Sequence, residues 1–100
     1  MLTMAMPTLA DFAALRGERF ALQGEPAGDG LWADLVDARP LAQPPAGDRQ
    51  PFALLFAGPP APVLPQQIYR LVHQRLPALD IFLVPIAADA GAVRYEAIFS

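Results

Sequence analysis

Reactive side chains are scarce in this chain, and that scarcity bounds its chemistry. There is one histidine, His73, there is no cysteine, and every basic residue is an arginine. Ser100 is the sole serine, while Thr3 and Thr8 fall in an N-terminal tail and at a helix cap. Nucleophilic catalysis needs a hydroxyl, thiol or amine with an activating base in reach, and these positions offer it almost nothing. His73 could act as a general base, a metal ligand or a recognition residue. At the end of a strand beside Tyr69 and Leu71, it reads instead as a hydrogen-bonded histidine at the edge of the core. A metal site built on one histidine would need carboxylates. Asp80 is the nearest in sequence, and no spacing here matches a metal motif.

The carboxylates read as solvated surface. Asp29, Asp48 and Asp89 lie in turn-like segments and Glu96 on a strand face. Asp34 and Asp37 are three apart on a strand, a spacing that predicts opposite faces. The glycines form no phosphate cradle. No catalytic, cofactor or metal residue is therefore expected, and the chain is read as a non-enzyme. The residues left for recognition are Trp32, Gln66, Tyr69 and His73. Trp32 could anchor an interface, although core packing is the reading preferred. Gln66, after Pro65, either caps the backbone of its loop or stands exposed.

The elements that must position these residues follow from periodicity. One hundred residues make one domain, of a size that hides only about 65% of its unfolded surface. Hydrophobic residues make up 54% of the chain, but alanine supplies many of them, so the core is small. After a tail over residues 1–7, where Met4 and Met6 offer alternative starts, Thr8 to Asp11 form a capping-box-like signal. Leu9, Phe12 and Leu15 share a helical face, and Gly17 is placed to end the helix. From Glu18 the period becomes two. Strands are expected around Phe20–Leu22, over 31–39, and over 52–56, 68–73, 81–86 and 93–99.

Turn chemistry separates these strands: Gly24 to Gly30, a long Pro40 to Pro51 loop, a proline-rich crossover over 58–67, a hairpin connection at Gln74 to Leu79, and Ala87 to Ala92. The fold class expected is mainly β: a small antiparallel six-stranded barrel or sandwich with one short N-terminal helix, spanning residues 8–100. The strands over 52–56 and 81–86 are apolar on both faces. Either the sheet closes into a barrel under the helix, or a partner covers what remains. Pro85 cannot donate to a ladder, so it predicts an edge or a bulge.

Net charge of −3 and a pI near 4.8 argue against a nucleic-acid partner, which needs a basic stripe. MLTMAMP lacks the features of a signal peptide, and no window is long enough for a membrane span. The expectation is a cytoplasmic protein with no membrane partner. Function is expected to be protein–protein contact or self-association, with an oligomer a natural outcome. The alternative is a small-ligand module, its pocket at a barrel mouth near Tyr69, His73 and Trp32.

Several short motifs bear on this: F-x-L-x-F-x-G-P at Phe52 to Pro59, L-P-Q at Leu64 to Gln66, Y-x-L-x-H at Tyr69 to His73, F-L-V-P-I at Phe82 to Ile86 and Y-E-A-I-F at Tyr95 to Phe99. With T-L-A-D-F at Thr8 to Phe12 and R-F-x-L at Arg19 to Leu22, the pattern covers most of the chain. It resembles a family of small bacterial domains of unknown function. The departure lies at Leu76 to Asp80, where Pro77 and Ala78 stand in place of a glycine turn. The resemblance implies no activity. It does imply genes found near phage-tail-collar-like proteins, and hence a role in tail or fibre assembly.

Overall fold

A computed structural model describes residues 7–24, 28–42, 50–89 and 91–99. The tail over 1–6, the middle of the Gly24 to Gly30 turn and most of the Pro40 to Pro51 loop lie outside the described residues. The elements are α1 (Leu9–Ala13), β1 (Arg19–Gly24), β2 (Gly28–Pro40), β3 (Phe52–Gly58), β4 (Gln67–His73), β5 (Leu76–Ala88) and β6 (Val93–Phe99). The strands form a closed barrel in the order β1-β2-β3-β6-β5-β4, with every ladder antiparallel. Of the two architectures the alternation allowed, the chain adopts the closed one.

Alternation fills the interior. Phe20 and Leu22 of β1, Ala33 and Leu35 of β2, and Phe52, Leu54 and Phe56 of β3 point inward and are buried. So do Tyr69 and Leu71 of β4, Leu79, Ile81 and Leu83 of β5, and Val93, Tyr95 and Ala97 of β6. Burial of these side chains drives the closure.

Closing so small a sheet needs sharp bends, and bulges supply them. The β2–β3 ladder pairs Leu35 with Phe56 and then Asp37 with Leu55, leaving Val36 as an extra residue. The β5–β6 ladder pairs Pro85 with Tyr95 and then Ala87 with Arg94, leaving Ile86 over. Pro85 thus marks a bulge, since a closed barrel has no edge. The bulge at Val36 corrects the expectation for Asp34 and Asp37. The extra residue shifts the parity of β2, so Asp34 and Asp37 pair with Ala57 and Leu55 and share the outer face. Each has its own arginine: Asp34 meets Arg19 at 2.8 Å and Asp37 meets Arg16 at 3.6 Å.

The segment Gln74 to Leu79 is also corrected. The connection is a turn at Gln74 and Arg75 only, and β5 already begins at Leu76. His73 pairs with Leu76 and Leu71 with Leu79, so Pro77 and Ala78 together oppose Val72. A proline in the doubled position of a bulge has no ladder hydrogen bond to forfeit, and the turn stays tight without glycine.

Both ends of the barrel are covered. In the ring order β3 and β4 lie diametrically opposite, so the crossover between them passes over one end. Leu64 of that crossover is buried. Its N–H donates to the Tyr95 hydroxyl at 2.9 Å, and the Tyr69 hydroxyl donates to the Pro65 carbonyl at 2.7 Å. A Cβ on Gly58 would come within 3.2 Å of the Tyr95 ring, so glycine there lets that ring reach the crossover. At the other end sits α1. Thr8 caps it reciprocally: the Asp11 N–H donates to Thr8 Oγ1 and the Thr8 N–H to Asp11 Oδ2. Phe12 is fully buried, with its ring centroid 5.6 Å from Phe99 and 5.8 Å from Phe52. The helix is shorter than the apolar spacing predicts, but Leu15 beyond it is still buried. Gly17, at φ +91°, then turns the chain into β1.

Candidate functional site

Trp32 and His73 meet at a groove on the outer face of the barrel, and exposed apolar residues mark a second part of that face. The first feature follows from a small residue on the outer face. Ala21 of β1 pairs with Trp32 on one side and Val72 on the other. An alanine flanked by larger side chains leaves a trough, and Gly30 extends it. The result is an open groove of about 500 Å³ lined by Arg19, Ala21, Trp32, Val72, His73 and Gln74 among others. One wall is stiffened by stacking: the Arg19 guanidinium carbon lies 3.5 Å from the Trp32 ring centroid. Asp34 anchors that guanidinium through Nε at 2.8 Å and Nη2 at 3.3 Å. That hydrogen bond holds Arg19 above its ordinary pKa. Trp32 is thus a partly buried residue of the outer face, not a core one.

His73 reaches the end of this groove but is almost wholly enclosed, its side chain 5% exposed. Its ring centroid is 4.7 Å from that of Phe20. The Arg75 N–H donates to Nδ1 at 3.0 Å, so Nδ1 carries a lone pair and the proton belongs on Nε2. Nε2 then donates to Glu18 Oε1 at 2.8 Å, while Arg75 Nη1 donates to the other oxygen, Oε2, at 3.4 Å. Both ring nitrogens are engaged within the fold. The cluster fastens the start of β1 to the turn after β4, the role expected of a core-edge histidine.

Tyr69 does not line the groove. It is buried inside the barrel with its hydroxyl on the crossover, and burial raises its pKa, with Tyr95 nearby adding to the rise. Gln66 is exposed at the end of the crossover. The structure therefore brings Trp32 and His73 to one groove and leaves Tyr69 and Gln66 apart from it. Among the described residues, no three histidine, cysteine, aspartate or glutamate side chains converge in a way that could hold a metal ion. Among them also, no helix is long and apolar enough to cross a membrane.

The second feature is a set of exposed apolar residues on β4 and the two strands that follow it round the barrel, β5 and β6. Ile68 of β4 stands directly across from Phe82 of β5, and Ile98 occupies the outer face of β6, the next strand round. They are 61%, 50% and 54% exposed. Val36 and Ile86 are exposed too, but both are bulge residues whose position follows from the bend. The outer face of β3 is different. Ala53 there is buried and Leu55 half-buried, and Arg39 of β2 pairs with Glu96 of β6 at 3.9 Å, bridging β3 with aliphatic stems. Of the two strands apolar on both faces, β3 is covered from within the molecule and β5 is not.

Periodicity groups Ile98 with Arg94 and Glu96 as outward-facing, but β5 is apolar on both faces, so it does not single out Phe82. It cannot signal Glu18 or Arg19 as site residues. Glu18 meets His73 across 55 positions, and Arg19 finds Trp32 only through the β1–β2 register.

A family model described as a domain of unknown function, DUF6916, matches residues 7–99. No curated protein and no solved structure matches the chain.

Proposed function

The chain belongs to the DUF6916 family, and we propose that it works without catalysis, by protein–protein contact. The observation that carries this reading is the set Ile68, Phe82 and Ile98 on the outer faces of the successive strands β4, β5 and β6, with Ile68 paired to Phe82 and each at least half exposed. The interior is filled without them, so folding does not require them to be apolar. Large contiguous apolar side chains on a surface mark contact sites. The non-catalytic part is supported by His73, whose two ring nitrogens are committed to Arg75 and Glu18. We place the protein in bacteria as an assembly component of a tail-like or fibre system, a finer reading supported by the motif resemblance alone.

Co-expression with a tail-collar-type protein tests this. A complex should co-purify with the wild-type chain and be lost with Phe82→Asp, while the far-UV circular dichroism of the variant stays unchanged. A complex that survives Phe82→Asp overturns the assignment of the face. A second reading, a small-ligand module, has the groove beside Trp32 and Ala21 in its favour. It requires a saturable thermal shift with a metabolite that Ala21→Leu, filling the trough, abolishes.

A further inference from the structure

Taking the apolar set as a contact surface, and so resting on the reading above, we infer that its occupant is a second copy of this chain, docked about a two-fold axis along the β4–β5 seam. The argument lies in the register. Ile68 is paired with Phe82, and the next outward pair along the seam is Arg70 with Asp80. Arg70 Nε lies 3.4 Å from Asp80 Oδ1, and both side chains are more than half exposed. Each row therefore has one member on either side of the seam, at the strand spacing of about 4.8 Å.

A two-fold axis lying in the contact plane, parallel to the strands and between them, exchanges the two sides. It sets β4 of one copy over β5 of the other. Ile68 then meets Phe82 of the second copy, and Arg70 meets Asp80 of the second copy, each contact occurring twice. The four charges form an alternating quartet beside the apolar centre. An axis perpendicular to the strands through the charged row would instead set Arg70 on Arg70 and Asp80 on Asp80. The local neutrality matters because the chain as a whole carries −3, and two copies repel unless the facing patches cancel. A surface whose charges complement themselves across a seam needs no second kind of partner. The face is convex, so the contact area is modest and the dimer belongs to the concentration-dependent class.

Sedimentation and light scattering across a concentration series read the result. The wild-type chain should double its molar mass as concentration rises. R70D and D80R should each weaken association by roughly tenfold or more, because each places two like-charge contacts across the axis. An equimolar mixture of the R70D and D80R chains should restore a mixed dimer, since every facing pair is then opposite in sign. A wild-type chain that stays monomeric throughout overturns the second-copy inference and leaves the contact reading to its own test. Self-association that F82D removes but the charge reversals and their mixture do not follow overturns the two-fold inference alone. Self-association untouched by F82D overturns both. Should F82D lower stability, I68T serves in its place, with thermal melts confirming the fold of every variant.

Discussion

At one end of the barrel Phe12 lies among Phe20, Phe52 and Phe99 with ring centroids 5.6 to 6.4 Å away. At the other, Leu64 fills the opening while two tyrosine hydroxyls bind the backbone on either side of the Leu64–Pro65 peptide. The first closure is held by area and ring packing, the second by directed bonds to a segment with no regular structure. The difference follows from what each end must cover. A capped helix satisfies most of its own backbone and needs only a greasy face. A proline-rich crossover over an apolar interior has backbone groups with no ladder to join, and something within the barrel must bond them.

The variant that should break the contrast most strongly is Phe12→Ala. It empties a fully buried aromatic site and is expected to cost about 3–5 kcal/mol, read from the denaturant midpoint of unfolding. Tyr95→Phe comes next. The ring stays and the acceptor goes, leaving the buried Leu64 N–H unpaired at a cost of about 1–3 kcal/mol. If Tyr95→Phe proves neutral in denaturant unfolding, the crossover is held by apolar packing and the two ends are alike.

The smallest effect is also the most diagnostic, because it depends on pH. Burial raises the Tyr69 phenol above its ordinary pKa of 10.0. A group whose acid form is favoured by folding contributes stability that is complete below pH 10. That contribution is lost as pH rises from there through the folded value. Stability measured from pH 9 upward should therefore fall more steeply in the wild-type chain than in Tyr69→Phe. At neutral pH that variant should lose only about 0.5–1.5 kcal/mol.

How much of this was legible in the sequence depends on the range of the interaction. Alternation separates an apolar from a more polar face on β1 and β6, and Thr8 and Asp11 announce the helix start, but on β3 and β5, apolar on both faces, it does not say which set points inward. Pro77 misleads because its local meaning is a turn, whereas its place in the ladder depends on what Val72 does on the neighbouring strand. Asp34 and Asp37 mislead for the same kind of reason: one extra residue, Val36, reverses a parity that spacing alone fixes. For the candidate sites the division is sharper. Ile98 is readable as outward because it alternates in step with Arg94 and Glu96, whereas Phe82, on a strand apolar on both faces, is not. The stack of Arg19 on Trp32, the trough at Ala21 and the Glu18–His73 bond all require the register of β1 against β2 and β4, which no local pattern carries.

The ring order has a mechanical consequence. β1, β2 and β3 form one consecutive meander and β4, β5 and β6 another, so the barrel is two three-stranded panels hinged by the crossover and joined along two seams. The seams are unequal: β3 and β6 share seven register pairs, β1 and β4 only three. Such a cylinder behaves as a bracelet with one soldered joint and one clasp. The Glu18–His73 bond adds a side-chain tie beside the shorter β1–β4 seam.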